Sequence, residues 1–268
     1  MYELEYVRKR KRRKFIALGA GVSTVVVTSM AIIAFLGRFV GTFTVSLETR
    51  DVELTLSEKS DLKDRSSFLR VNSIAPFQEF TYSDFDKFGD TVIDSENSTI
   101  NLGANLKENS ADVESLNFFK YTFYVANVGY KPAQYNFNLN VVEEVLSSDN
   151  RSLLDTVRVM VYEDGEKEVY AKGQTKPHVD EDGNASYASP ISVDKNEAND
   201  LHPFMGYAKE FVSSNVVAAF SSVSIDVGQV KRYTIVTWLE GFRSSPDQLA
   251  PQGATIKLGV EINAYEAQ

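Results

Sequence analysis

Residues Phe15 to Leu36, FIALGAGVSTVVVTSMAIIAFL, carry no charge and follow directly on seven consecutive basic residues, Arg8 to Lys14. A helix of that length spans about 33 Å at about 1.5 Å per residue, enough to cross a bilayer core of about 30 Å. The run therefore reads as a transmembrane helix. With the basic block before it and only Arg38 close behind it, the positive-inside rule places the N-terminus in the cytoplasm and everything beyond Gly37 outside. A cleaved secretory signal shares the basic start, but its apolar stretch is about 7 to 15 residues and ends in small residues. Here the run is longer and ends Ala34, Phe35, Leu36, Gly37, Arg38. The reading is an uncleaved single-pass anchor, with a basic cytoplasmic tail over 1–14, a helix over 15–37 and an extracellular domain over 38–268. Ala17 with Gly21, and Gly19 with Ser23, set small residues four apart, a spacing at which two membrane helices pack closely.

The exterior is long enough for a substantial core. From Phe39 onward it holds 20 basic and 35 acidic residues, so it repels nucleic acid and anionic lipid. No cysteine is present, and the domain must be held by its core without disulfides.

Hydrophobic periodicity changes to two as soon as the anchor ends. Phe43, Val45 and Leu47 alternate with polar residues, a polar turn Glu48 to Arg50 follows, and Val52, Leu54 and Leu56 alternate again; the order is hairpin-like. Residues 57–116 read as a loop-rich insertion, with a strand around Phe68, Leu69 and Val71. The aromatic and acidic stretch Phe77 to Phe88 is expected to pin that insertion onto the sandwich. Phe119, Tyr121, Phe123 and Val125 then form one strand face. Beyond Asn127, Val128 and Gly129, residues Tyr135, Phe137, Leu139 and Val141 point inward with Asn136, Asn138 and Asn140 outward, which suggests an antiparallel pair. Val157, Val159 and Val161 make the next strand, turned at Asp164 and Gly165 into Val169 and Tyr170. Val227 to Leu239, and Ile256, Leu258, Val260 and Ile262, close the sheet. The fold class is all-β, an antiparallel sandwich of jelly-roll or Ig-like kind preceded by one transmembrane helix.

No catalytic residue is assigned. The chain has no G-x-S-x-G elbow, no H-E-x-x-H and only His178 and His202. Glu240, close to Trp238, reads as a hydrogen-bonded acid at a strand end. Asp180, Asp182 and Asn184 around Gly183 form the one calcium-like segment, since oxygen ligands at alternate positions suit that ion. Without the full twelve-residue loop and its distal Glu, the segment reads first as an acidic solvated turn.

The segments YTFYVANVG at Tyr121 to Gly129, VRVMVYEDGE at Val157 to Glu166, VYAK at Val169 to Lys172 and KRYTIVTWLEG at Lys231 to Gly241 resemble a group of uncharacterised membrane-anchored surface proteins of low-GC Gram-positive bacteria. More distantly, the membrane segment, the GTFTVSL strand at Gly41 to Leu47 and the late strand pair are similar to the camelysin and TasA type of matrix protein. That resemblance implies a jelly-roll-like sandwich that builds fibres at the cell surface. The peptidase activity attributed to the camelysin type is not carried over, because no zinc motif accompanies it.

These observations lead to a non-catalytic structural or interaction module. Its expected partner is a cell-surface or matrix protein, or a second copy paired through an edge strand such as FTVSL. The alternative is an accessory or sensor subunit of a membrane complex, paired through its helix.

Overall fold

The computed structural model describes residues 40–74, 118–174, 204–240 and 253–267 without interruption, and between them residues 79–80, 82, 85, 93–94, 101–102, 178–179, 183, 185–186, 189–192 and 251. The expected tail and transmembrane helix, and the calcium candidates Asp180, Asp182 and Asn184, lie outside the described residues. Among the described residues no helix is long and apolar enough to cross a membrane.

In chain order the strands begin with β1 (Val40–Thr49), β2 (Leu54–Ser57), β3 (Phe68–Ile74), β4 (Glu79–Phe80), β5 (Asn101–Leu102) and β6 (Phe118–Asn127). They continue through β7 (Ala133–Val145), β8 (Val157–Glu163), β9 (Glu166–Ala171), β10 (His178–Val179), β11 (Ala185–Ser186) and β12 (Pro190–Ser192). The last are β13 (Phe204–Tyr207), β14 (Lys209–Glu210), β15 (Val216–Ile225), β16 (Val230–Glu240) and β17 (Thr255–Glu266). Two sheets pack face to face. The first has the order β15-β7-β17-β1-β3 and the second β14-β9-β8-β16-β6-β2, with β4 against β16 and β5 against β6.

Both sheets are mixed, which corrects the antiparallel expectation. β1 runs parallel to β17, β14 to β9 and β4 to β16. The chain's last long strand fills the place beside its first, entering from the same end of the sandwich. The expected β1–β2 hairpin and the expected antiparallel pairing of β6 with β7 are corrected too. β1 and β2 lie in opposite sheets, and so do β6 and β7. Phe43, Val45 and Leu47 on one side and Leu54 and Leu56 on the other are all buried in the same interlayer core. Period-two alternation specifies a face and leaves the partner strand open, so a chain that arches across the sandwich shows the same pattern as one that folds back on itself. The β8–β9 hairpin is as expected, with Asp164 and Gly165 at φ 49° and 100° in its tight turn. The strand around Phe68 and Leu69 is also present, as β3 at the edge of the first sheet.

The interlayer core is aromatic at its centre. Tyr233 stacks on Phe137 at 4.7 Å and on Phe123 at 5.6 Å between ring centroids. Its hydroxyl meets that of Tyr135 at 2.7 Å and donates to Glu163 at 3.2 Å, which satisfies the polar tips of two fully buried rings. Burial pushes both phenols well above the ordinary tyrosine range.

The centre of the second sheet is buried on both faces, which explains why every residue of β6 is buried. On its outer face Phe118, Met160, Tyr162, Val236 and Trp238 form a second apolar cluster with Phe85 and Ile93 from the insertion. Phe85 lies 5.0 Å from both Phe118 and Trp238, and Tyr82 lies 6.3 Å from Trp238. These aromatics pin the insertion to the sandwich, as expected.

Candidate functional site

Two places on the described molecule hold enough chemistry to be considered. One is the covered outer face of the second sheet. Arg232 and Thr234 of β16 and Lys120 and Thr122 of β6 share that face, two residues apart on each strand. The Thr122 and Thr234 hydroxyls are 2.8 Å apart, Thr234 donates to Asp94 at 2.8 Å, and Arg232 pairs with the other oxygen of Asp94. Asp94, Lys120 and both threonines are buried. Removal from water pulls the Lys120 ammonium down to about 8; Asp94 offsets part of that shift and Arg232 adds to it. Further along the same face Arg158 lies 3.9 Å from Glu240, both buried. Glu240 thus sits across from a cation beside Trp238, so the strand-end acid expected from the sequence is one half of an ion pair.

These groups lock an insertion to a sheet. Among the described residues no group of three or more His, Asp or Glu side chains converges to hold a metal ion. His178 lies in β10, paired with Ser186 across a two-residue strand.

The other place is the end of the sandwich at which β1 finishes, opposite the end where the chain enters at Val40. Three connections meet there: the crossing from β1 to β2, the crossing from β6 to β7 and the turn from β15 to β16. Asn127, 1% exposed, binds the second of these to the third. Its amide donates to the Lys131 carbonyl at 2.8 Å and to the Ile225 carbonyl at 3.1 Å, and its side-chain oxygen accepts from Gly129 N–H at 3.0 Å. Its backbone exchanges bonds with Gly228 and Gln229, while Val128 N–H donates to the Glu53 carbonyl. Every polar group of the buried amide is engaged, so the arrangement is both satisfied and rigid.

Two glycines make the close packing feasible. Gly228 adopts φ +77° in a turn closed by Gln229 N–H on the Asp226 carbonyl, the type II pattern that favours glycine at its third position. A Cβ on Gly129 would come within 3.1 Å of Glu53 Cβ. The result is a firm base beneath an exposed apolar group. Tyr130 is 80% exposed, and Val128, Val227 and Val230 are each more than a third exposed. Val128 and Val227 adjoin where Gly228 N–H meets the Asn127 carbonyl, Tyr130 follows in the same crossing and Val230 pairs with Ala126; exposed apolar residues gathered at one end of a domain mark contact surfaces, and tyrosine is enriched in them.

Periodicity ends one strand before Asn127, Val128 and Gly129 and begins another at Val227, but does not bring the two together. The signal that would have found the site is the pair of short apolar turn segments NVGY and DVGQV, each exposing valine where turns are ordinarily polar.

No protein-family model matches the chain, and no curated protein matches it.

Two outcomes are expected. Asn127→Ala removes three hydrogen bonds and leaves two buried carbonyls short of a donor, so it lowers stability in chemical unfolding by about 1–3 kcal/mol and speeds amide exchange at Gly129 and Gly228. The second concerns Lys120. Its folded pKa lies below its unfolded value, so between about pH 8 and about 10 the unfolded chain keeps a proton that the folded one has shed, and stability rises with pH across that window. Lys120→Met removes this rise and at pH 7 is at least as stable as the parent; a slope unchanged by the substitution contradicts the assignment.

Proposed function

We propose that the protein is a membrane-anchored, non-catalytic surface module that works by docking a partner at the apolar end of its sandwich. The observation that carries this reading is the Tyr130 group, held rigidly by Asn127 at the end away from the start of β1. With the helix at 15–37 as an N-in anchor, β1 begins within a few residues of the bilayer, and the Tyr130 end faces outward from the cell. A docking surface belongs at that position.

The finer fold reading is a jelly-roll or Ig-like sandwich, supported by the two packed sheets and the arches that carry the chain between them. The resemblance to membrane-anchored surface proteins of low-GC Gram-positive bacteria, and distantly to the camelysin and TasA type, supports a cell-surface or matrix setting. Self-association by strand pairing takes a different form from that expected, because β1 is paired on both sides, with β17 and β3. The edges of the first sheet are β3 and β15. β15 carries two register shifts and a left-handed Ser222, which blunt it for pairing, whereas β3 runs in unbroken register along β1. The second reading, an accessory or sensor subunit paired through its helix, is favoured by the small residues at Ala17, Gly21, Gly19 and Ser23.

Tyr130→Ala combined with Val227→Ser changes only exposed side chains and should leave thermal stability within about 0.5 kcal/mol of the parent. In cells that depend on the protein for attachment or matrix assembly, the double variant is expected to lose that function while reaching the surface in normal amount. Full function in the double variant, together with loss on exchanging the helix for an unrelated one, would favour the accessory reading.

A further inference from the structure

The charges around the Tyr130 group are unevenly matched. Its cations are engaged within the molecule: Lys131 binds Glu266 at 2.8 Å, and Lys231 binds Glu163 at 2.9 Å and Asp164 at 3.4 Å. Arg232 is turned to Asp94. Asp51, Glu53, Glu166 and Asp226 make no ion pair among the described residues; the described cations beside them in the chain are Arg50 and Lys167, the latter lying over the Tyr82 ring. Glu53 and Asp226 are the nearest to the apolar group. The Glu53 carbonyl holds Val128, and Asp226 begins the turn that presents Val227. The tip is thus an apolar centre with an acidic rim.

We propose that this tip docks a basic polypeptide, one that sets lysine or arginine side chains around an apolar or aromatic residue. The inference rests on the docking reading above and gives the partner its chemistry. An apolar residue of the partner lies against Tyr130, Val128, Val227 and Val230, and its cations meet Asp51, Glu53 and Asp226. A charge-matched rim speeds encounter and rejects wrong partners, while the apolar centre supplies most of the affinity. A second copy is a poor occupant, because a two-fold contact would set one acidic rim against another. Anionic lipid and nucleic acid are repelled for the same reason.

The test uses the full-length, isotopically labelled chain in lipid nanodiscs and three short synthetic peptides. Each has a central tryptophan, flanked by lysines in the first, serines in the second and glutamates in the third. The lysine peptide is expected to shift the amide signals of Val128, Gly129, Gly228 and Val230 to saturation. Its affinity should fall about tenfold or more between about 0.05 M and 1 M salt, as the screening length shortens to about 3 Å. Glu53→Gln with Asp226→Asn should bring its affinity to that of the serine peptide while the same amides still respond, and the glutamate peptide should leave them unmoved. Equal, salt-insensitive binding of the lysine and serine peptides at the tip overturns the basic-partner proposal and leaves the docking reading standing. Absence of any shift at the tip with the lysine peptide, or tip-to-tip dimers in sedimentation, also overturns it. The docking reading fails separately if Tyr130→Ala with Val227→Ser keeps full function in cells.

Discussion

The side-chain amide of Asn127 sits where the chain leaves one sheet for the other, and its hydrogen bonds tie the β6–β7 crossing to the end of β15, while the neighbouring Val128 N–H holds the β1–β2 crossing. Without that amide, the carbonyls of Lys131 and Ile225 would need water in a place that the core excludes. With it, four apolar side chains remain in the open on a firm base. Ordering an exposed loop on binding costs conformational entropy, and a loop already fixed avoids most of that cost. Rigidity and exposure thus occur together at this end of the sandwich.

Much of the fold is legible in the sequence because burial leaves a period. Tyr135, Phe137 and Leu139 against Asn136, Asn138 and Asn140, and Ile256, Leu258, Val260 and Ile262 near the C-terminus, announce their faces correctly. The hairpin at Asp164 and Gly165 is legible because only a few residue types tolerate positive φ. What the pattern could not supply is the partner of each strand. Phe43, Val45 and Leu47 would look the same in a hairpin and in an arch, and the parallel neighbour of β1 lies more than two hundred residues away in sequence. The Tyr130 end was harder still, since its parts come from distant turns that the fold alone brings together. Lys120, Thr122 and Thr234 carry no sequence signal of burial, because polar residues in a strand ordinarily mark its wet face, whereas here the insertion covers that face.

That covering layer shapes the role of the second sheet. With apolar clusters on both faces and buried charges locked at Asp94 and Arg158, the sheet acts as a partition within the domain and leaves little of itself for a partner. Contact with the outside falls to the ends and edges of the sandwich. On the proposed reading, an N-in anchor at 15–37 sets which of those ends faces away from the cell.

A chain with no cysteine allows a single introduced thiol to be read without background. Tyr130→Cys and, separately, Glu3→Cys in the expressed full-length protein would be exposed on intact cells to a membrane-impermeant maleimide, with and without permeabilisation. The account predicts that the thiol at position 130 is labelled at once on intact cells, while the one at position 3 reacts only after permeabilisation. Labelling of position 3 on intact cells, or protection of position 130 until the membrane is opened, would contradict an outward-facing docking end on an N-in anchor.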